Sequence, residues 1–113
     1  MLLLSLLFVK HWFVDFVLQT DDMVKSKGIY GSAYGIQHSL QHAVFTLCLL
    51  LLATSPLLAV ILATFDGLVH YHVDWLKMNY GCRDITKKEF WNHLGLDQLA
   101  HALTYILILE VLL

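Results

Sequence analysis

The sequence predicts an all-α protein, a four-span transmembrane helix bundle made of two helical hairpins related by a pseudo-two-fold axis. Three observations carry that expectation. Of 113 residues, 58% are hydrophobic and only 14% charged, with mean hydropathy +0.67, whereas a soluble domain of this length keeps a more polar surface. The apolar residues fall into blocks of roughly 20 residues, close to the 30 Å that a membrane-spanning helix needs. Inside those blocks His and Asp recur in pairs at helical i,i+4 spacing.

The elements follow in order as one domain, residues 1–113, with spans at about 2–20, 35–53, 56–78 and 94–113. The first block, MLLLSLLFVKHWFVDF, has no basic leader and no small-residue cleavage site, so it reads as a retained span. Ala43–Phe65 carries no charge and could cross a membrane once, which would give three spans. Thr54-Ser55-Pro56 in its middle argues for a turn, with Pro56 opening a new helix. The last block runs to Leu113.

The polar pairs decide between three spans and four. They are His11/Asp15, His38/His42, His70/Asp74 and Asp97/His101. His11 precedes His38 by 27 residues, and His70 precedes Asp97 by the same interval; a shift of 59 carries each member of the first set onto the second. This is an internal repeat of positions, and two spans per repeat place the axis along the membrane normal. With four spans, every pair lies at one depth, beside the polar loops Thr20–Tyr34 and Asn79–Trp91. With three, eight ionisable residues would be scattered without partners, at a few kcal/mol each. Lys25, Lys27, Arg83, Lys87 and Lys88 lie in those loops, with Lys77 at their edge, and the opposite face has no Lys or Arg. The positive-inside rule therefore puts loops and site in the cytoplasm of an inner-membrane protein.

Net charge −2 excludes the basic footprint of a nucleic-acid binder. Cys48 and Cys82 form neither a disulfide framework nor a thiolate metal set. Side chains at i and i+4 lie about 40° apart on a helix and can grip one ion from a single turn. Four such pairs on facing helices are the logic of metal sites in helix bundles. The expected ligands are thus His11, Asp15, His38, His42, His70, Asp74, Asp97 and His101, for one or two divalent ions. Imidazole with carboxylate favours zinc, with manganese or iron as alternatives.

Asp66 lies one turn deeper than His70 and is expected to orient it or to act as a general base. Gln19, Lys77 and Gln98 are candidate substrate-binding residues, although Gln98 sits about 100° off the Asp97/His101 face and an interhelical bond suits it as well. His72 and His93 are read as non-ligands, and Lys10, off the His11 face, has no assigned role. Trp12, Trp75, Trp91, Tyr30, Tyr34 and Tyr80 suit an interfacial aromatic belt.

His11-Trp-Phe-Val-Asp15-Phe-Val-Leu-Gln19, the later His70–x3–Asp74–x2–Lys77 and Asp97-Gln98-x-x-His101 together resemble a family of small phage and bacterial membrane proteins, of the domain of unknown function 3307 type. The resemblance covers nearly the whole chain and implies a multi-span protein without an established activity. More distantly, the His/Asp spans are similar to membrane-bound metal-dependent hydrolases. The leading expectation is a hydrolase of a lipid-like ester or phosphoester at the cytoplasmic leaflet, its partners being the bilayer, a lipid-like or phosphorylated substrate and, given exposed apolar faces, a second copy. A non-enzymatic phage membrane protein with a structural metal or polar core stays open, as does an ion or proton carrier.

Overall fold

The computed structural model describes residues Met1–Leu113 and contains helices and turns only. Helix α1 spans Leu2–Trp12 and continues as a π-helical stretch over Phe13–Leu18. Then come α2 (Asp21–Ser26), α3 (Ala33–Leu50), α4 (Pro56–Tyr80) and α5 (Lys88–Leu112).

Local chemistry sets the boundaries. Thr20, Ser32 and Ser55 each cap a helix, accepting hydrogen bonds from the backbone N–H of Met23, Gly35 and Leu58. Pro56 sits in the first turn of α4, where its missing N–H costs nothing. The Thr54–Pro56 break is therefore real, and the middle apolar block is two helices. Two boundaries differ from expectation. The first loop contains α2, started by Thr20 and the acidic pair Asp21/Asp22 at the positive helix end. α5 begins at Lys88 and not near residue 94, which shortens the second loop to 81–87. In that loop the Thr86 hydroxyl and N–H both donate to Asp84, holding its carboxyl below the usual carboxylate range.

The four long helical segments form a ring in which each packs on its neighbours in the chain, α3 on α4, α4 on α5, α1 on α3, and α5 closing back on α1. The α3–α4 seam is the most extensive. It is tight because Gly67 faces Ala43: a Cβ on Gly67 would stand 3.0 Å from the Ala43 methyl and 3.4 Å from the Ser39 carbonyl oxygen. Short connections make successive helices antiparallel, within an envelope of 43 × 28 × 21 Å.

The two ends of the ring differ. Away from α2, Leu7, Leu50, Ala59, Leu62, Tyr105 and Ile108 form an apolar plug. Toward α2 the interior is polar. Across the chain, nine buried residues are hydrophobic and fourteen are polar or charged, while Phe8, Phe16, Phe45, Phe65 and many leucines lie outside. That is the reverse of a water-soluble bundle. By length and composition, α4 and α5 are each able to cross a membrane. The other two segments fall short because α1 is only 11 residues long before its π-helical turn, and Gln37, His38, Ser39, Gln41 and His42 dilute α3.

Candidate metal centre

Each segment contributes a vertical stripe of polar side chains. His11 ends α1 and Asp15 lies on the wide turn after it. His38, His42 and Thr46 line α3; Asp66, His70 and Asp74 line α4; Asp97, His101 and Tyr105 line α5. All eight expected ligands are buried and converge on the ring interior. His70 is sandwiched between His42 and His101, with ring centroids 3.6 and 3.7 Å away and planes within 12° of parallel.

The half of the core nearest α1 is a dense hydrogen-bond network, although Asp66 Oδ1 and His70 Nδ1 lack a partner, and its acceptors dictate where the protons sit. Lys10 is 5% exposed. Its ammonium group spends its three N–H bonds on Asp66 Oδ2 at 3.0 Å, Tyr105 Oη at 2.9 Å and His42 Nδ1 at 3.1 Å. His42 must then carry its proton on Nε2, which donates to Asp15 Oδ1 at 2.7 Å. Gln98 turns its amide nitrogen to Asp97 and Asp15, so its oxygen accepts from His11 Nε2 at 2.8 Å. His11 Nδ1 consequently accepts the Tyr105 hydroxyl proton at 2.8 Å, and His70 Nε2 donates to the Tyr105 oxygen at 2.9 Å. Thr46 completes the set with a 2.6 Å bond to Asp66.

The other half is unsatisfied. His38, with both ring nitrogens, Asp74 Oδ2, Asp97 Oδ1 and His101, again with both nitrogens, are buried without a hydrogen-bond partner. They are nevertheless close. His101 Nε2 is 3.3 Å from Asp97 Oδ1 and 3.4 Å from Asp74 Oδ1, and His38 Nε2 lies between the halves, 3.1 Å from Asp15 Oδ1 and 3.6 Å from Asp74 Oδ2. Ligand atoms around one tetrahedral ion with bonds near 2.1 Å stand roughly 3.4 Å apart. Atoms at this separation that do not aim at one another suit a shared cation, and carboxylate plus imidazole is a donor set for zinc or manganese. Two groups of atoms lie close enough to hold an ion: His11, Asp15, His42 and His70, and His70, Asp74 and His101.

The remaining candidates fall around this core. Asp66 is chiefly the counter-ion of Lys10; its Oδ1 is 3.6 Å from His70 Nε2, beyond a hydrogen bond, so the expected orienting contact is not made. Gln98 ties α5 to His11 and Asp15, the interhelical alternative. Gln19 donates to the Asp15 carbonyl oxygen and accepts from Lys27. Lys77 donates to Asp97 Oδ2 at 3.2 Å, and Lys27 lies 3.8 Å from Asp74 Oδ2. With Arg83, these three line a cleft of about 360 Å³ on the α2 side. His72 bonds Tyr30 and the Leu68 carbonyl, away from the core. His93 lies within α5 and accepts the Cys82 N–H.

Sequence reasoning missed Tyr105 and Thr46, and it gave Lys10 and Lys27 no place in the core. Thr46 and Tyr105 were within reach: each lies four residues beyond a paired histidine, and they stand 59 apart like the other matched positions. Lys10 carried a different signal, a charge inside an apolar run that must find a partner. Lys27 was read as a loop cation, and nothing in its spacing marked it as a partner of Asp74 and Gln19.

An all-helical bundle enclosing a His/Asp core is the class of protein these features define. The chain belongs to the family described as a protein of unknown function (DUF3307), whose model matches residues 3–113. No curated protein and no solved structure matches it, so the more distant likeness to metal-dependent hydrolases gains no support.

Proposed function

We propose that this protein is a four-span bundle in the bacterial cytoplasmic membrane that binds a divalent metal ion, zinc first, in its polar core and uses it to hydrolyse a lipid-like ester or phosphoester. The observation that carries the metal reading is the cluster of buried, unpartnered ligand atoms on His38, Asp74, Asp97 and His101. Each such atom costs about 1–3 kcal/mol when left unpaired, and a bound cation removes that cost for several at once. Support for the membrane reading comes from the apolar exterior over a polar interior, together with α4 and α5, each able to span.

A divalent ion supplies Lewis acidity and a more acidic water. This chain's own residues supply the rest. Lys27, Lys77 and Arg83 around the cleft give positive charge for an anionic headgroup. Gln19 fixes Lys27 by accepting its hydrogen bond, and Asp97 holds Lys77 through Oδ2 while leaving Oδ1 free. The side chain of Asp66 is engaged by Lys10 and Thr46, which makes it a positioning residue in this scheme and not a base.

Thermal unfolding in detergent tests the metal reading. Zinc at a hundredfold excess over its dissociation constant should stabilise the protein by about 2.7 kcal/mol, and chelator should reverse the shift. No shift with zinc, manganese or iron would remove the proposal. Hydrolysis is tested with vesicles carrying a fluorogenic phospholipid: the expected turnover is abolished by chelator and by Asp97→Asn.

One observation favours a second reading, a non-catalytic polar core. Around Lys10, the side chains of His11, Asp15 and His42 are paired through every nitrogen and oxygen without any ion, as a network built only to hold helices together would be. On that reading the protein binds metal yet turns over no ester.

A further inference from the structure

We infer that the core holds a single metal ion, seated on His70, Asp74 and His101 with Asp97 and His38 at its edge, because Lys10 is the built-in cation of the opposite half. The inference rests on the metal-binding reading above and narrows it from eight candidate ligands to one side of the ring.

The pairs around the ring look equivalent in sequence, but their hydrogen bonding is not. On the α1 side, each nitrogen of His11 and His42 is already bonded, and both oxygens of Asp15 accept. The proton order is forced from two ends. Gln98 requires a proton on His11 Nε2, and Lys10 requires one on His42 Nε2. Those are the nitrogens that point at Asp15. An ion there would have to displace both protons, and neutral His42 bound through Nε2 would turn an N–H at the Lys10 ammonium, donor against donor. His42 Nε2 and Asp15 Oδ1 are also 2.7 Å apart, a hydrogen-bond distance too short for neighbours on one tetrahedral ion, which stand roughly 3.4 Å apart.

The far side shows the opposite state. Asp97 spends Oδ2 on Lys77 and Gln98 and keeps Oδ1 bare. Asp74 Oδ1 and Asp97 Oδ1 flank His101 Nε2 at 3.4 and 3.3 Å, and the His101 nitrogen forms a hydrogen bond with neither. Outer hydrogen bonds that fix a carboxylate while one oxygen stays free are the usual support of a metal ligand.

Charge agrees. The buried carboxylates are Asp15, Asp66, Asp74 and Asp97, and the cations beside them are Lys10, Lys27 and Lys77. With the histidines neutral, as metal ligands are, four negative charges against three leave room for one divalent ion. A second would leave a large uncompensated positive charge in an enclosed core.

The test uses the full chain in detergent micelles, loaded with zinc and freed of excess. Zinc X-ray absorption on the unaltered protein should show a first shell rich in oxygen with one or two imidazoles. His101→Gln should lose the ion, and His42→Gln should keep it at one per chain. Three or more imidazoles, two ions per chain, or loss of zinc from folded His42→Gln while His101→Gln retains it would overturn the inference and leave metal binding intact. The absorption spectrum decides the matter even if a variant does not fold. Failure of the unaltered protein to take up zinc, manganese or iron would instead sink the metal-binding reading, and this inference with it.

Discussion

Lys10 shows how one side chain organises the core. A buried ammonium is tolerated only when its three donors find acceptors, and Asp66, Tyr105 and His42 provide them on three different helices. Removing the cation alone leaves the Asp66 carboxylate buried and uncompensated, so Lys10→Met should cost about 3–5 kcal/mol. Lys10→Met combined with Asp66→Leu should recover most of that. Denaturant titration of the four proteins in a double-mutant cycle checks it, and additive losses would show that the pair is not coupled. The i,i+4 rule located eight of the core residues because pairing on one helix is a one-dimensional signal. It was blind to Lys10, whose partners all come from other segments and whose reach depends on a long flexible stem.

At the scale of elements, the α3–α4 seam fixes the imidazole stack. Gly67 allows the two helices to meet closely enough for His42 and His70 to lie 3.6 Å apart. Gly67→Val should push the seam open, destabilising the bundle by about 1–3 kcal/mol, with a loss of zinc affinity measurable by equilibrium dialysis. Unchanged stability would show that the seam has slack. The four long segments and the turn at Pro56 were readable because apolar blocks and a proline leave strong marks. The π-helical turn after Trp12, helix α2 and the start of α5 were not. Hydropathy marks where apolar surface begins, whereas Lys88-Glu89-Phe90-Trp91 adds a polar helical turn before it.

For the whole molecule, the polar interior and apolar exterior suit the proposed membrane setting. Of the loop cations counted for orientation, Lys27 is buried beside Asp74 and Gln19, and Lys77 is held by Asp97. Lys25, Arg83, Lys87 and Lys88 remain exposed on the α2 side, and under the proposed placement they face the cytoplasm. A membrane-impermeant maleimide should therefore miss Cys82 in intact cells and label it in inverted vesicles. Labelling of Cys82 from outside would reverse the orientation. Composition made the bundle class legible. The difference between the two halves of the core was not, because it arises from hydrogen-bond directions that spacing does not encode.

The central claim, that the unpartnered His and Asp atoms form a metal site, is tested most directly by elemental analysis of the purified, folded protein beside His101→Ala. The account predicts one divalent ion per chain in the unaltered protein and none in the variant. A helical, monodisperse protein that carries no metal after growth or dialysis with zinc, manganese or iron would contradict it.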